Sequence, residues 1–385
     1  MSLDMINYAK KFYDMKYIES GYIAERKDDG IVITKTGANL ADLKDEDLVF
    51  VNDKNIETFE GNFRAAAVIL FCAIRQSKVI EAAAIVDSDS ILKLSSKRRA
   101  LKPILDDLVK LCGISVKCAT KNVAAEVVTA LAGQRNACFM PDAGALVRGR
   151  SLEELFNAVA VLDKAAHAEL VAEDKGGTQS MNPVEAFLEC MLYKLKSSKT
   201  AEKQNGTEGV QTNVEEKIEQ VTEQQNEQPA EHNSESCEQE CQQSAECNCD
   251  NAEQCEQSNA EQQDNSQNEE TTLAKCNACD NLTTLNLFEG KLAVLMHSYY
   301  ASAASAMGKP FEVQEKYTDI LGQQIPCAPS TLVCIKNSLG KVKDVIGEAP
   351  ACIVAQHGVV VRGKDMDEIK KICATLEKAC EEYLA

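Results

Sequence analysis

Apolar residues recur at helical spacing from Leu3 to Tyr17, and two short apolar runs follow, Ile31-Val32-Ile33 and Leu48-Val49-Phe50-Val51. Their length and β-branched content predict short buried strands. Asp28-Asp29-Gly30, between the helix and these strands, is turn chemistry. The pattern then predicts helices over 63–75 and 101–111, with a strand at Ala83-Ala84-Ile85-Val86 between them and another at Ala137-Cys138-Phe139-Met140. Ser151 followed by Glu154 has the form of a capping box and opens a helix through Glu173. Pro183 opens a last helix to about Lys196. Strands alternating with Ala- and Leu-rich helices predict an α/β architecture.

From 197 to 273 this pattern stops. The stretch is Gln, Glu, Asn and Ser with scattered Cys and no aromatic residue, too little apolar surface to offset the entropy of ordering it. It divides the chain into an ordered region at 1–196, a disordered acidic linker at 197–273 and a second ordered region at 274–385. The linker also holds most of the charge. Of a net −19, residues 199–273 supply 19 Asp or Glu against 3 Lys, so the ordered regions are close to neutral. With no basic stripe, neither nucleic acid nor an anionic membrane is expected as a partner. The first 16 residues lack the apolar core of a signal peptide, and no run of about 18 apolar residues occurs. A cytoplasmic protein is expected, its 17 cysteines read as reduced thiols.

Within the two ordered regions the sequence repeats. The segment 137–150, ACFMPDAGALVRGR, parallels 351–364, ACIVAQHGVVVRGK, and each leads into an acidic helix. Upstream, Leu105-Asp106-Asp107-Leu108 ending at Cys118-Ala119 parallels Tyr317-Thr318-Asp319-Ile320 ending at Cys327-Ala328. Order and spacing agree, which points to an internal duplication. The second copy lacks counterparts of Ile31 to Val51, and so is expected to dock against the first to cover an open sheet edge.

Two stretches resemble the class II aldolase/adducin family. Ser20-Gly21-Tyr22, the strand ending Thr34-Lys35-Thr36-Gly37, and Leu43 to Val51 are similar to the family's opening elements; Gln356-His357-Gly358 is similar to its Asn-His-Gly strand end. The resemblance implies a three-layer αβα fold, duplicated with a partial second copy. It also implies an aldehyde-lyase of small phosphorylated sugars, with zinc or another divalent metal held by three histidines, two of them in a His-x-His-Ser element. An upstream Glu acts as base, and a Gly-Asn plus Ser/Thr-Gly set cradles the phosphate. Three imidazoles would leave an open position for a substrate oxygen.

Carried over residue by residue, the pattern is incomplete. Val86-Asp87-Ser88-Asp89-Ser90 stands at the His-x-His-Ser element of the first copy, which places Asp87 and Asp89 at ligand positions, and Ala143 stands at the third. No Glu occupies the helix near Ala66 to Val68, and Gly21-Tyr22 replaces Gly-Asn while Thr36 and Gly37 survive. The second copy keeps His297 and His357 but has Leu295 at the first position. His167 and His232, the remaining histidines, lie in a late helix and in the linker.

Each candidate keeps two readings. His297 and His357 are metal ligands joined by a Cys, Asp or Glu, or two hydrogen-bonded imidazoles without metal. Asp87 and Asp89 hold Mg²⁺ or Ca²⁺, or form a solvated strand end. Gly21, Thr36 and Gly37 cradle phosphate, or make a plain turn. Cys276-Asn277-Ala278-Cys279 is half a zinc site, or one of several irregularly spaced thiol pairs in acidic surroundings. Cys72, Cys138, Cys352 and Cys373 are small core hydrophobes. The loss of the ligand triad favours a non-catalytic or weakly active ligand-binding or assembly protein, a homo-oligomer in expectation, over a metal-dependent aldolase.

Overall fold

The structure, a computed structural model, describes residues 3–204, 282–330 and 335–385. Met1–Met191 and Lys275–Ala385 cluster as one compact unit, and Leu192–Ala274 as another. The expectations of disorder and of paired linker cysteines lie almost entirely outside the described residues.

In the first copy α1 (Leu3–Asp14) precedes β1 (Tyr22–Lys27), β2 (Gly30–Thr34), β3 (Leu48–Val51), α2 (Gly61–Arg75), β4 (Ala82–Val86) and α3 (Asp89–Ser96). Then come α4 (Asp106–Cys112), β5 (Lys117–Cys118), α5 (Ala124–Ala130), β6 (Ala137–Phe139), β7 (Ala145–Gly149), α6 (Leu152–Ala172) and α7 (Pro183–Gln204). The sheet order is β3-β2-β1-β4-β7-β6-β5. One face packs on α1, α3, α4 and α6 around Phe12, Phe139, Ile91 and Leu162. The other packs on α2 and α5 around Leu70, Ile74 and Val127. Both faces of β4 are buried, which is why it reads as a continuous apolar run.

The second copy repeats the order from β4 onward. It comprises β8 (Thr283–Phe288), β9 (Lys291–Met296), α8 (Tyr299–Met307), β10 (Phe311–Glu312), α9 (Thr318–Leu321), β11 (Gln324–Ile325), β12 (Cys327–Ala328), α10 (Ile335–Val345), β13 (Ala351–Val354), β14 (Gly358–Gly363) and α11 (Met366–Leu384). Its main sheet runs β12-β13-β14-β9-β8. Strand register confirms the duplication: Cys118 pairs with Phe139 and Cys327 with Ile353, while Cys138 faces Leu146 and Cys352 faces Val360.

Three boundaries depart from the sequence pattern. The helix expected over 101–111 begins only at Asp106, because Leu101 bridges to Val116 and Pro103 lies within the intervening turn. α1 stops at Asp14, where Lys16 takes a left-handed φ of 56°. α7 continues to Gln204, past the expected end of the first domain. The Ser151 cap holds, its hydroxyl accepting from Glu154 N, but the Glu154 carboxylate turns to Arg150 N and its guanidinium, leaving half of a capping box.

Docking takes a different route from the one expected. β8 occupies the place of β1 beside β9, and strands corresponding to β2 and β3 are absent among the described residues. Contact with the first copy is made instead by helix α8, whose Ala303, Ala306 and Met307 join the core that includes Ala165, Ala168 and Ala172 of α6. Small residues on both helices permit this close approach. The backbone ties the copies as well: Asp106 N donates to Gln356 O at 3.0 Å, and Gln179 N to Ala306 O at 2.8 Å.

Candidate functional site

Each strand end that leads into a candidate ligand is fixed by a glycine against a carbonyl. A Cβ on Gly144, at φ +88°, would lie 2.0 Å from Val86 O, and one on Gly358, at φ +120°, would lie 2.5 Å from Met296 O. Val86 therefore corresponds to Met296. The registers agree, since Ile85 faces Leu146 as Leu295 faces Val360. The corresponding positions are Ile85 with Leu295, Asp87 with His297 and Ala143 with His357. This corrects the placement of Asp89, which is two residues beyond and opens α3.

Asp87 follows the end of β4 and Asp89 is the first residue of α3. Asp87 accepts from Glu19 N (2.7 Å), Ser20 N (2.9 Å) and Ser20 Oγ (2.6 Å), so its carboxylate closes the turn before β1. Asp87, Asp89, Glu19, Lys16, Ser90, Asp163 and Tyr299 line a cavity of about 280 Å³. Buried Asp163 accepts from Ser88 Oγ at 2.6 Å and Tyr299 OH at 3.3 Å, and burial raises its carboxyl above the usual range. The His167 and Tyr299 rings pack with centroids 4.4 Å apart and planes tilted by 34°.

Gly21 sits where β1 meets β4, its missing Cβ 1.9 Å from Ile85 O, which explains the glycine by backbone approach. Thr36 Oγ1 lies 3.0 Å from Tyr22 OH, and Gly37 is a turn residue at φ +71°. Cys138 and Cys352 are buried, with thiol pKa values pushed up to about 12 and about 11, while Cys373 is also buried. Cys72 is only half-buried and lines an open groove with Arg75 and Gln76, which corrects its expected place in the core.

The structure brings His297 and His357 into one cluster at the junction of the copies. His357 Nδ1 lies 3.1 Å from Asp106 Oδ2, both side chains almost wholly buried, an ion-pair approach off the ring N–H axis. Lys110 Nζ reaches Asp106 Oδ2 at 2.6 Å and Asp107 Oδ1 at 3.5 Å. His297 Nδ1 is 3.8 Å from Asp107 Oδ2. Lys164 Nζ donates to His297 O at 3.0 Å. Ser330 Oγ donates to Glu185 Oε1 at 3.1 Å and lies 3.5 Å from His357 Nε2.

Burial and charge divide these groups. Burial alone would lower the His357 imidazole, but the Asp106 carboxylate holds it above the usual histidine value. Burial opposes ionisation of Asp106, yet His357 and Lys110 hold it well below the usual carboxylate range. Lys110 is raised by Asp106 and Asp107 against its own burial. His297 and Lys164 go the other way: burial lowers both, and the neighbouring carboxylates only partly offset it. Asp106, Asp107, Lys110 and Lys164 were missed as site residues. The repeat marked the first two, but nothing in the pattern set α4 against the second copy's strand end.

A divalent metal does not fit this donor set. The imidazole ligand positions of the first copy hold Ile85, a hydrogen-bonded Asp87 and Ala143. In the second, His297 and His357 face separate carboxylates, with the amines of Lys110 and Lys164 in the same cluster. No group of three or more His, Cys, Asp or Glu side chains among the described residues is arranged to hold an ion.

Two αβα copies of one topology, joined at a strand end carrying Gln-His-Gly, define an aldolase-type α/β protein. The chain belongs to the family whose model is described as Class II Aldolase and Adducin N-terminal domain, which matches residues 4–170 and 290–384. Among solved structures it is similar to an L-fuculose 1-phosphate aldolase, at 20% identity over 50% of this chain and 98% of that one, TM-score 0.45. It is also similar to YgbL of Escherichia coli, titled a putative aldolase/epimerase/decarboxylase, at 20% identity over 49% and 96% of the two chains, TM-score 0.42. An L-fuculose 1-phosphate aldolase from Glaciozyma antarctica PI12 matches at 16% identity over 49% and 79%, TM-score 0.41. No curated protein matches. Among the described residues, no helix is long and apolar enough to cross a membrane.

Proposed function

We propose that this protein is a metal-independent ligand-binding or assembly module built on the class II aldolase fold. The observation that carries the reading is the Asp106–His357–Lys110 cluster, in which a side chain at a family metal position is committed to an acid–base contact between the copies. A metal-dependent aldolase stabilises its enediolate through the ion, an electrostatic contribution of several kcal/mol, and its base adds about 10²- to 10⁴-fold. Neither has a clear provider here. Asp107, Lys110 and His297 are each partly exposed, which leaves polar groups of the cluster open to a small polar ligand.

The test is metal content after purification without chelator, for the intact protein and for a His297→Ala, His357→Ala variant, with retro-aldol assays on fuculose and rhamnulose 1-phosphates in added zinc or manganese. The expected result is no metal that depends on the two histidines and no more than trace cleavage. Near one equivalent of metal that disappears in the variant, with turnover on the order of 1 to 10³ s⁻¹, would establish the aldolase reading instead.

A further inference from the structure

Residues 28–81 connect β1 to β4 in the first copy and form β2, β3 and α2. In the second copy Glu289-Gly290 alone connects β8 to β9, with Gly290 at a left-handed φ of 69°. Register makes the two places comparable residue by residue. Tyr22 faces Ile85 and Ala24 faces Ala83, as Thr283 faces Leu295 and Leu285 faces Ala293. Thr283 therefore corresponds to Tyr22, and Leu285 to Ala24. Tyr22 and Ala24 are 8% and 0% exposed, because β2 pairs along the outer side of β1 and α2 lies over the sheet. Thr283 is exposed, and Leu285, Leu287 and Phe288 stay partly exposed at the margin of the core around Leu295 and Val360.

Among the described residues, α10 is the only helix whose side chains join that core, and the outer edge of β8 pairs with no strand. Sheet edges are ordinarily blunted by charge, by proline or by coverage. β8, Thr-Thr-Leu-Asn-Leu-Phe, carries neither a charge nor a proline. Its one irregularity, between Leu285 and Phe288, falls at the hairpin end and leaves Thr283 to Leu285 in regular pairing with β9. We propose that the outer edge of β8 pairs with β8 of a second copy of this chain, across a two-fold axis at Leu285.

A two-fold axis makes identical strands antiparallel, which is the relation β2 bears to β1 in the first copy. With Leu285 opposite its own mate, Thr283 faces Leu287 and Thr284 faces Asn286. The partly exposed leucines of both protomers then lie on one sheet face as cross-strand neighbours. The partner supplies the strand that the second copy has no chain to form, and two five-stranded sheets become one. The chain's own residues 205–281 suit the place poorly. They hold 19 Asp or Glu and no aromatic residue, so a strand made of them adds little apolar surface beside Leu285. The inference rests on the assembly reading proposed above, to which it gives a partner, and not on the metal content of the histidine cluster.

The test is sedimentation of the full-length protein from about 1 to 300 μM, with amide exchange over 283–288 at both ends of that range. A six-residue edge is a small interface, so a dimer that dissociates on dilution is expected, its β8 amides protected only at high concentration. Thr284 and Asn286 are exposed, so charges there leave the fold in place. Thr284→Lys with Asn286→Lys sets like charges against each other across the axis and is expected to weaken the dimer at least about tenfold. Thr284→Glu with Asn286→Lys sets opposite charges there and is expected to restore association. A monomer at every concentration, a dimer indifferent to the double lysine, or equal loss in the two charge variants overturns the proposal. So does equal protection of β8 in the dilute monomer, which would mean that the chain covers its own edge. Metal bound through His297 and His357, measured on the same preparation, bears on the metal-free reading and leaves this one untouched.

Discussion

Asp106 and His357 belong to different copies of the repeat, and their carboxylate and imidazole meet at 3.1 Å inside a shell that excludes almost all solvent. Such a pair contributes little net stability over a well-packed apolar pair. Removing one member is costly, because the other remains charged and buried. Asp106→Asn is therefore expected to destabilise the protein by about 3 kcal/mol, read from chemical denaturation of the intact chain. A loss below about 1 kcal/mol would mean that the pair is solvated.

The two histidines predict opposite pH dependences. His357 has a raised folded pKa, so its contribution is fully present below the unfolded value of about 6.5 and is lost as pH rises through the folded value. His297 has a lowered folded pKa, so its contribution is present above about 6.5 and is lost as pH falls through the folded value. Denaturation profiles from pH 5 to 9 should show His357→Asn removing a decline on the alkaline side, and His297→Asn removing a decline on the acid side. Matching profiles for the two variants would refute the assignment.

Docking through α8 predicts that an interface charge separates the copies. Ala306 is fully buried among α6 residues, and an aspartate there would be a carboxylate without a partner. Ala306→Asp should expose the region between 173 and 182 to limited proteolysis and lower the melting temperature. By the same contact, residues 275–385 expressed alone should fold poorly and recover on mixing with residues 1–191. A cooperatively melting monomeric fragment would contradict the shared core.

Gly144→Ala and Gly358→Ala should each destabilise by about 1 to 3 kcal/mol, because both require a left-handed backbone as well as room for a Cβ against a carbonyl. Equal sensitivity at the two sites is expected from their equivalence. Tolerance at either, in thermal melts, would show that the strand ends are not built alike.

Much of the fold was legible because its elements declare themselves locally. β4 is a continuous apolar run, Ser151 caps its helix, and the Gly-x-x-x-Arg-Gly endings of β7 and β14 repeat almost letter for letter. The site was legible only in part. His297 and His357 could be singled out, yet their partners Asp106, Asp107 and Lys164 sit in α4 and α6 of the other copy, and no local periodicity records that contact. The two-residue misplacement of Asp89 has a similar cause. A loss of both histidines removes the letters that would fix alignment, and only backbone pairing restores it.

Asp87 and His297 stand at one backbone address in two halves of a single chain. In one half the side chain fastens a turn, and in the other it faces an ionisable cluster. The molecule thus carries a natural substitution experiment within itself, with temperature, solvent and history held common to both arms. Exchanging them, Asp87→His together with His297→Asp, would ask whether chemistry follows the residue or its surroundings. The cap at Glu19 and Ser20 should fail in the first half, while the aspartate in the second would meet Asp107 as a like charge.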